Sequence, residues 1–499
     1  MAFEIRAGAR GPSALWNGLQ LASSYDAPRE ARRWAESLSA AHLLVFVAGD
    51  PWGLAAQALQ TSGARAVALL PGNAAKPHVP AGVTAWAPED GGLERLIRGH
   101  LEDWGPDAVS WQVWPAFERH APELALEWSR LFRDVYRRVQ GSWLTQTRFG
   151  PRFWTNAVRN ARDWEHGTVF RPGTRPVVIA ASGPSLEESL PALREHRQRF
   201  ELWALPSSFE VLLRRGLIPD AGVATDGGYY AREHLQRLAG TAVPLLAALT
   251  SAPDPVLAER PTLLFSQGMA VERPLLAAVM PGFGEVPSQG TVAVTAIELA
   301  LAATSGPVCI AGLDLSFRDL RAHAAPHTVD RRLLSAHSRL TPYESQLAEN
   351  LFSQAPVTAE GTRTAPALLT YAGWFRSGAR FRRTVYRLAP SALRWSSMTG
   401  LQVNEAAALW RTAGTDAVRW ETVRSWPDAA RRRQAVDAAL TGLLERTEAA
   451  AEDDPWLVEA ARTGAPRALA EDLRARRQGL PSGKAKLELC DFLRALRER

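Results

Sequence analysis

The sequence predicts an α/β protein: a central, mostly parallel sheet with helices on both faces, a smaller degenerate α/β domain before it and a helical region after it. Three observations carry this expectation. Between about residues 168 and 400, short apolar β-rich runs alternate with helical patterns, the order that builds a parallel sheet buried between helices. A shorter alternation of the same kind precedes it, and from about Asn404 the chain is rich in Ala, Leu, Glu and Arg with no convincing strand. The expected divisions are therefore 1–165, 166–403 and 404–499, in keeping with 499 residues at roughly 100–200 residues per domain.

In the first zone, residues 42–48 and 65–70 read as strands around a glycine turn from Gly49 to Gly53 and a short helix starting near Leu54, a βαβ unit. A third run, 108–113, is followed by helical periodicity over 123–164, with Gly141 and the Gly150-Pro151 pair as expected breaks. In the second zone the strand candidates are 176–181, 201–205, 221–225, 243–248, 262–265 and 308–311. Ligands of such sheets bind at the carboxyl ends of the strands, so the loops after these runs are where chemistry is expected.

The composition excludes several classes. An apolar share of 46% and a charged share of 22% are those of an ordinary soluble globular chain, not of a disordered or fibrous one. No uncharged apolar run approaches the ~18–20 residues of a membrane span, and Met1 is followed by Glu4 and Arg6 rather than a leader, so the expected place is the cytoplasm. Two cysteines, Cys309 and Cys490, build neither a disulfide framework nor a four-thiolate zinc site. The net charge of +6 comes from bases that are nearly all Arg, spread along the chain. Such dispersion does not favour nucleic acid as partner. Arg does suit planar pairing with phosphates and carboxylates, and a bland compositional bias explains it equally well.

Four runs can carry chemistry. The strand 177–181 enters Ser182-Gly183-Pro184-Ser185, and Ser185 stands three residues before Glu188, the spacing of a capping box. Such a turn offers main-chain N–H groups and a helix dipole to a phosphate; the plain alternative is a well-capped βα turn. Pro287-Ser288-Gln289-Gly290-Thr291 precedes an apolar helix, again with exposed N–H groups, and the following strand ends in Gly312 and Asp314, where a carboxylate can hold a sugar or base or merely cap a turn. His323 and His327 lie in the polar stretch beyond, either being a general base near neutral pH or simply solvated. Asp226 follows a strand and precedes two glycines, placed to hold a sugar hydroxyl or a metal. No paired Asp-x-Asp supports a divalent-metal clamp, so no metal ligand is assigned.

Taken in order, these runs resemble the motility-associated factor (Maf) family of flagellin glycosyltransferases. Gly183 to Leu186 matches that family's Gly-Pro-Ser-Leu turn. The run Leu213-Arg214-Arg215-Gly216-Leu217-Ile218-Pro219-Asp220, leading to Thr225-Asp226, matches its Leu-x-x-x-Gly-Ile-x-Pro-Asp. Gly290-Thr291-Val292-Ala293 is similar to Gly-Ser-Val-Ala, Gly312 to Phe317 to Gly-x-Asp-Leu-x-Phe, and Ala322-His323-Ala324 keeps part of Thr-His-Ala. The entry segment 21–31 is also similar. The central zone resembles bacterial sialyltransferases as well, with Ser182 where those enzymes have Asn. The resemblance implies a Rossmann-like, sialyltransferase-like central domain and a transferase that moves a nonulosonic acid of pseudaminic, legionaminic or sialic type. The donor would be its CMP conjugate, the acceptor a Ser or Thr of flagellin, and no cofactor is required beyond that substrate, a divalent metal being left open. It further implies that Ser182, Gly183, Pro184, Ser185, Ser288, Gly290, Thr291, Gly312 and Asp314 bind the nucleotide, that His323, as base, and Asp226 are the catalytic residues, and that the first zone is structural or acceptor-binding. Two alternatives stay open: a 6-hydroxymethyl-dihydropterin pyrophosphokinase, and a non-catalytic flagellin-binding protein.

Overall fold

The computed structural model of the chain describes residues 3–38, 44–255, 260–280, 283–288, 290–353, 362–377, 381–391, 395, 397–424, 426–452, 454–477 and 482–498. His42, at the start of the first expected strand, and Gln289 lie outside the described residues. The chain divides into two compact units, Met1–Gln146 with Leu473–Pro481, and Thr147–Asp472 with Ser482–Arg499.

The first unit opens with an antiparallel ribbon, β1 (Phe3–Gly8), β2 (Gly11–Trp16) and β3 (Leu19–Gln20), and then builds a parallel sheet from β4 (Leu44–Ala48), β5 (Arg65–Leu69), β6 (Thr84–Trp86) and β7 (Val109–Val113) in the order β6-β5-β4-β7. Phe46, Trp114 and Phe117 are fully buried in its core, where Phe117 stacks on Trp128 at 5.4 Å between centroids. The Gly49-to-Gly53 turn is as expected, with both glycines in the left-handed region (φ 74° and 87°). The helix after it, Leu54–Thr61, does not present open amides. The fully buried Asp50 carboxylate accepts N–H bonds from Gly53 (2.9 Å), Ala55 (3.3 Å) and Ala56 (2.8 Å), filling the place a nucleotide phosphate takes in a binding βαβ unit. Burial pushes the Asp50 carboxyl up to about 6 against the pull of those amides.

The second unit holds β8 (Thr168–Arg171), β9 (Val177–Ala180), β10 (Glu201–Ala204), β11 (Ala221–Ala224), β12 (Leu245–Ala248), β13 (Thr262–Ser266), β14 (Gly284–Glu285), β15 (Val308–Ala311), β16 (Val385–Leu388), β17 (Thr399–Leu401) and β18 (Arg419–Thr422). Nine of these form one sheet in the order β14-β13-β12-β11-β10-β9-β15-β16-β17, and every pairing in it is parallel. This is the mostly parallel central sheet that the alternation predicted, and β9–β13 and β15 are the six expected strands. From β9 the chain steps strand by strand to β14 on one flank, then crosses to β15 on the other side of β9. The switch point of the sheet therefore lies between the carboxyl ends of β9 and β15, where open parallel sheets place their ligands. The crossover helix Val292–Ala303 is apolar on nearly every side and buries nine of its residues, so it lies in the core.

Two expectations are corrected. The helix Pro122–Asp163 runs unbroken through Gly141, Gly150 and Pro151. Gly150 serves close packing instead, because a side chain there would run into the Thr463 backbone. The region beyond 404 is not purely helical either, since β18 pairs antiparallel with β8, Arg419 facing Arg171 and Thr422 facing Thr168.

Replacing Asp50 by Ala leaves three buried amides without an acceptor, so the local opening free energy of helix Leu54–Thr61 should fall by about 1–2 kcal/mol. Amide hydrogen exchange across that helix reads the change.

Candidate active site

The first turn after β9 and the first turn after β15 are locked together at the switch point. The N–H of Gly183 donates to the Gly312 carbonyl at 2.7 Å, and that of Ala181 to Ala311 at 2.9 Å. Neither glycine tolerates a side chain. A Cβ on Gly183 would lie 2.5 Å from both Asp314 Oδ2 and the Gly312 carbonyl, while Gly312 sits at φ 70° with the Ala181 carbonyl 2.7 Å from where its Cβ would be. The buried Asp314 carboxylate then accepts from the N–H of Ser185 (2.7 Å) and from its hydroxyl (2.6 Å). Burial raises the Asp314 carboxyl, and the two Ser185 bonds oppose that rise.

The motif therefore works differently from the capping box read in the sequence. Ser185 is helical (φ −64°, ψ −14°), makes no cap to its own helix and gives its proton to Asp314. Pro184 has no N–H, and the amide of Leu186 turns back to the Gly183 carbonyl at 3.0 Å. The expected cradle of free main-chain donors over 183–186 is thus filled from within, and Asp314 spends its carboxylate on that clamp. Polar side chains stand beside this clamp.

Ser182 and His323 are such groups. The Ser182 hydroxyl lies 3.1 Å from His323 Nδ1 and accepts from the Ser207 hydroxyl at 2.8 Å; the Ala324 N–H donates to the Ser182 carbonyl at 2.7 Å. The loop carrying His323 is tied to the helix Leu186–Glu195 by an Arg318–Glu188 ion pair and by Glu187, which accepts from Arg321 and from the Ala325 amide, both at 2.7 Å. Within it Leu315 (φ 47°) and Asp319 (φ 53°) hold left-handed conformations unusual for such residues, as an over-determined loop permits.

His323 stacks flat on His327, 4.2 Å between centroids and 12° apart, and His327 in turn packs against His234 at 5.1 Å. His327 is buried, with Nδ1 accepting from the Val329 amide, and His234 Nδ1 bonds the Thr328 hydroxyl at 2.9 Å. Desolvation, then the positive charge of the neighbouring histidines, pushes His327 down to about 2; desolvation and the His323 charge take His234 to about 4. Burial also lowers His323, against the pull of Asp330. All three imidazoles are neutral near pH 7. Of the two histidines left open by sequence, His327 is buried against the rings of His323 and His234, and His323 is bonded to Ser182 at the switch point.

Asp226 is exposed at the end of β11 and accepts from the Gly228 amide at 2.7 Å. The loop around it is held by residues that sequence reasoning missed. Asn156 donates to the carbonyls of Gly227 (3.2 Å) and Thr250 (3.1 Å), and Asn160 to those of Leu249 (2.8 Å) and Ser251 (2.9 Å). Ser288 is exposed and Thr291 caps its helix by accepting from Ala293. Gly290, at φ 72°, lies so close to the Trp374 indole that a side chain would collide with it. One turn earlier on the same helix, Tyr371 has its phenol raised by burial and by the Asp226 charge. The structure thus joins Ser182, Gly183, Pro184, Ser185, Gly312, Asp314 and His323 in one bonded cluster. Helix Pro366–Ser377 carries Tyr371, which feels the Asp226 charge, and Trp374, which lies against Gly290. No His, Cys, Asp and Glu group among the described residues is arranged to hold a metal ion.

Residues 152–320 match the family model described as 6-hydroxymethylpterin diphosphokinase MptE-like. Two uncharacterized proteins of Treponema pallidum (strain Nichols) are each 27% identical, one over 287 residues (57% of this chain, 61% of the relative) and one over 124 residues (24% and 56%). The matches therefore span less than two thirds of either relative. Among solved structures, the Maf glycosyltransferase from Magnetospirillum magneticum AMB-1 superposes with a TM-score of 0.57 over 99% of this chain and 86% of that one, at 12% identity. The likeness is one of fold, and at that level the resemblance read from the motifs is borne out along almost the whole chain.

Two outcomes follow from the site's construction. Gly312→Ala forces a left-handed alanine into a space already filled by Ala181 and Leu186, and should cost about 2–3 kcal/mol, read as a lower unfolding midpoint of the second unit. The unfolded chain takes up protons on histidine below pH 6.5 while the buried rings resist, so stability should fall as the pH drops from 6.5 toward 4. His234, moved from 6.5 to about 4, accounts for about 3 kcal/mol of that loss, and His234→Gln should flatten the slope in pH-dependent denaturation.

Proposed function

We propose that this protein is a glycosyltransferase that moves a nonulosonic acid of pseudaminic, legionaminic or sialic type from its CMP conjugate to a Ser or Thr hydroxyl of flagellin, in the cytoplasm. The observation that carries the reading is the coincidence, in a chain whose fold follows the Maf glycosyltransferase over 99% of its length, of the sheet's switch point with a Ser182–His323 pair. In the reaction the bond from the anomeric carbon to the phosphate oxygen breaks, its electron pair staying on phosphate. The acceptor oxygen bonds that carbon and its hydroxyl proton passes to solvent water. His323 and Ser182 stand nearest the phosphate, while Asp226 and Tyr371 border the sugar. Ser288, Gly290 and Thr291, under the Trp374 indole, border the nucleoside. Gly183, Pro184, Ser185, Gly312 and Asp314 form the floor that holds these groups in register. CMP leaves with one phosphate, so less charge needs neutralising than with a diphosphate donor, and the reading invokes no metal. The first unit, with its helix amides closed by Asp50, is read as structural or acceptor-binding. Among the described residues no helix is long and apolar enough to cross a membrane.

The match of residues 152–320 to an MptE-like model favours one rival, a pterin diphosphokinase using ATP and Mg²⁺. Release of CMP from a CMP-nonulosonate in the presence of flagellin, with the matching rise in flagellin mass, tests the first reading. His323→Ala should slow release by ~100-fold or more. CMP at 100 times its dissociation constant should stabilise the fold by about 2.7 kcal/mol. No CMP release, with stabilisation by ATP, Mg²⁺ and hydroxymethylpterin instead, would turn the assignment to the kinase.

A further inference from the structure

The carboxyl ends of three neighbouring strands, β10, β9 and β15, deliver three side chains in a row: Ser207 from the turn Pro206–Ser208, Ser182, and His323. Ser207 gives its hydroxyl proton to Ser182 Oγ at 2.8 Å. A serine hydroxyl carries one proton, and the Ser182 oxygen that receives this bond still has its own to place. The acceptor within reach is His323 Nδ1, 3.1 Å away. A nitrogen that accepts must present its lone pair, so in the neutral ring the proton sits on the other nitrogen.

We infer that Ser207 is a positioning residue: acting through Ser182 it holds His323 in the Nε2–H tautomer, so that His323 offers a hydrogen-bond donor to the departing phosphate rather than a base to the acceptor hydroxyl.

Three features support it. The ring has no freedom to turn over, being stacked on His327 at 4.2 Å and backed by His234. The backbone on either side is fixed, with the Ala324 amide on the Ser182 carbonyl and the Ala325 amide on Glu187. Nδ1 has the Ser182 hydroxyl as a hydrogen-bond partner, and the ring is held toward the Ser182 backbone as well. The base role expected from sequence requires the opposite tautomer, with Nδ1–H pointing at an oxygen that already accepts from Ser207. This also gives Ser182 a use that the Asn of the sialyltransferases does not predict: it relays a hydroxyl chain. No proton leaves the imidazole in this role. It lends its N–H to the phosphate oxygen as the anomeric C–O electron pair moves there, and the acceptor hydroxyl proton passes to solvent water.

The tautomer is independent of the transferase reading, whereas its use on a phosphate rests on that reading, and the experiment separates the two. Full-length protein labelled with ¹⁵N-histidine is observed by long-range ¹H–¹⁵N correlation, His323 being assigned by its loss in His323→Gln. The expected spectrum shows the proton on Nε2. Ser182→Ala and Ser207→Ala should mix the two tautomers, and Ser207→Thr, which keeps the hydroxyl, should preserve the wild-type pattern. In CMP release, Ser207→Ala should lower kcat about tenfold with KM nearly unchanged, part of the ~100-fold or more a positioned proton-bearing group supplies, and Ser207→Thr should restore it. A proton on Nδ1 in the wild-type spectrum, which needs no variant to fold, overturns the inference, as does an unchanged spectrum in Ser207→Ala. The expected tautomers without any CMP release would uphold the relay and sink its phosphate role.

Discussion

The Asp314 carboxylate is the tie on which the rest of the crevice depends. It is buried and ionisable, which is costly, and it is tolerated because the amide and the hydroxyl of Ser185 both bond it within 2.7 Å. The bond reaches from the turn after β15 to the first turn of the helix after β9, across the one place where the sheet's strand order reverses. Gly183 and Gly312 let the two turns approach until no Cβ fits between them. The loop that carries His323 leaves from the end of this clamp, so its position is inherited from Asp314.

The first unit uses the same device. Asp50 follows β4 and feeds the amides opening the helix Leu54–Thr61, as Asp314 feeds the start of Leu186–Glu195. In both places a side-chain anion of the chain satisfies donors that nucleotide-binding sheets leave for phosphate. One consequence is that the polar groups left beside the clamp in the second unit are hydroxyls and imidazole rather than main-chain amides. Neutral groups dominate there, for His234, His323 and His327 are held uncharged chiefly by burial.

Much of this was legible in the letters. The alternation of apolar runs with helical periods named six of the nine strands of the main sheet, because buried parallel strands are continuous apolar stretches that need no partner to be recognised. Strands β16 and β17 escaped, being three or four residues long with polar or aromatic interruptions such as Tyr386 and Arg387. β18 escaped because it is half exposed and makes sense only beside β8. The long helix was mistaken at Gly150-Pro151, where local breaker chemistry lost to packing against Thr463.

By itself the sequence determined the residue types at each strand end, the glycines that make two turns approachable and the histidines in the loop beyond; these are local facts, set by propensity, period and backbone freedom. Only the tertiary structure decided what those groups do. Ser185 reads as a helix cap until Asp314, 129 residues away, claims its proton, and Ser207 reads as nothing until β10 is set beside β9. Hydrogen-bond partners far apart in the chain are chosen by strand order, and strand order is settled by packing of the whole sheet.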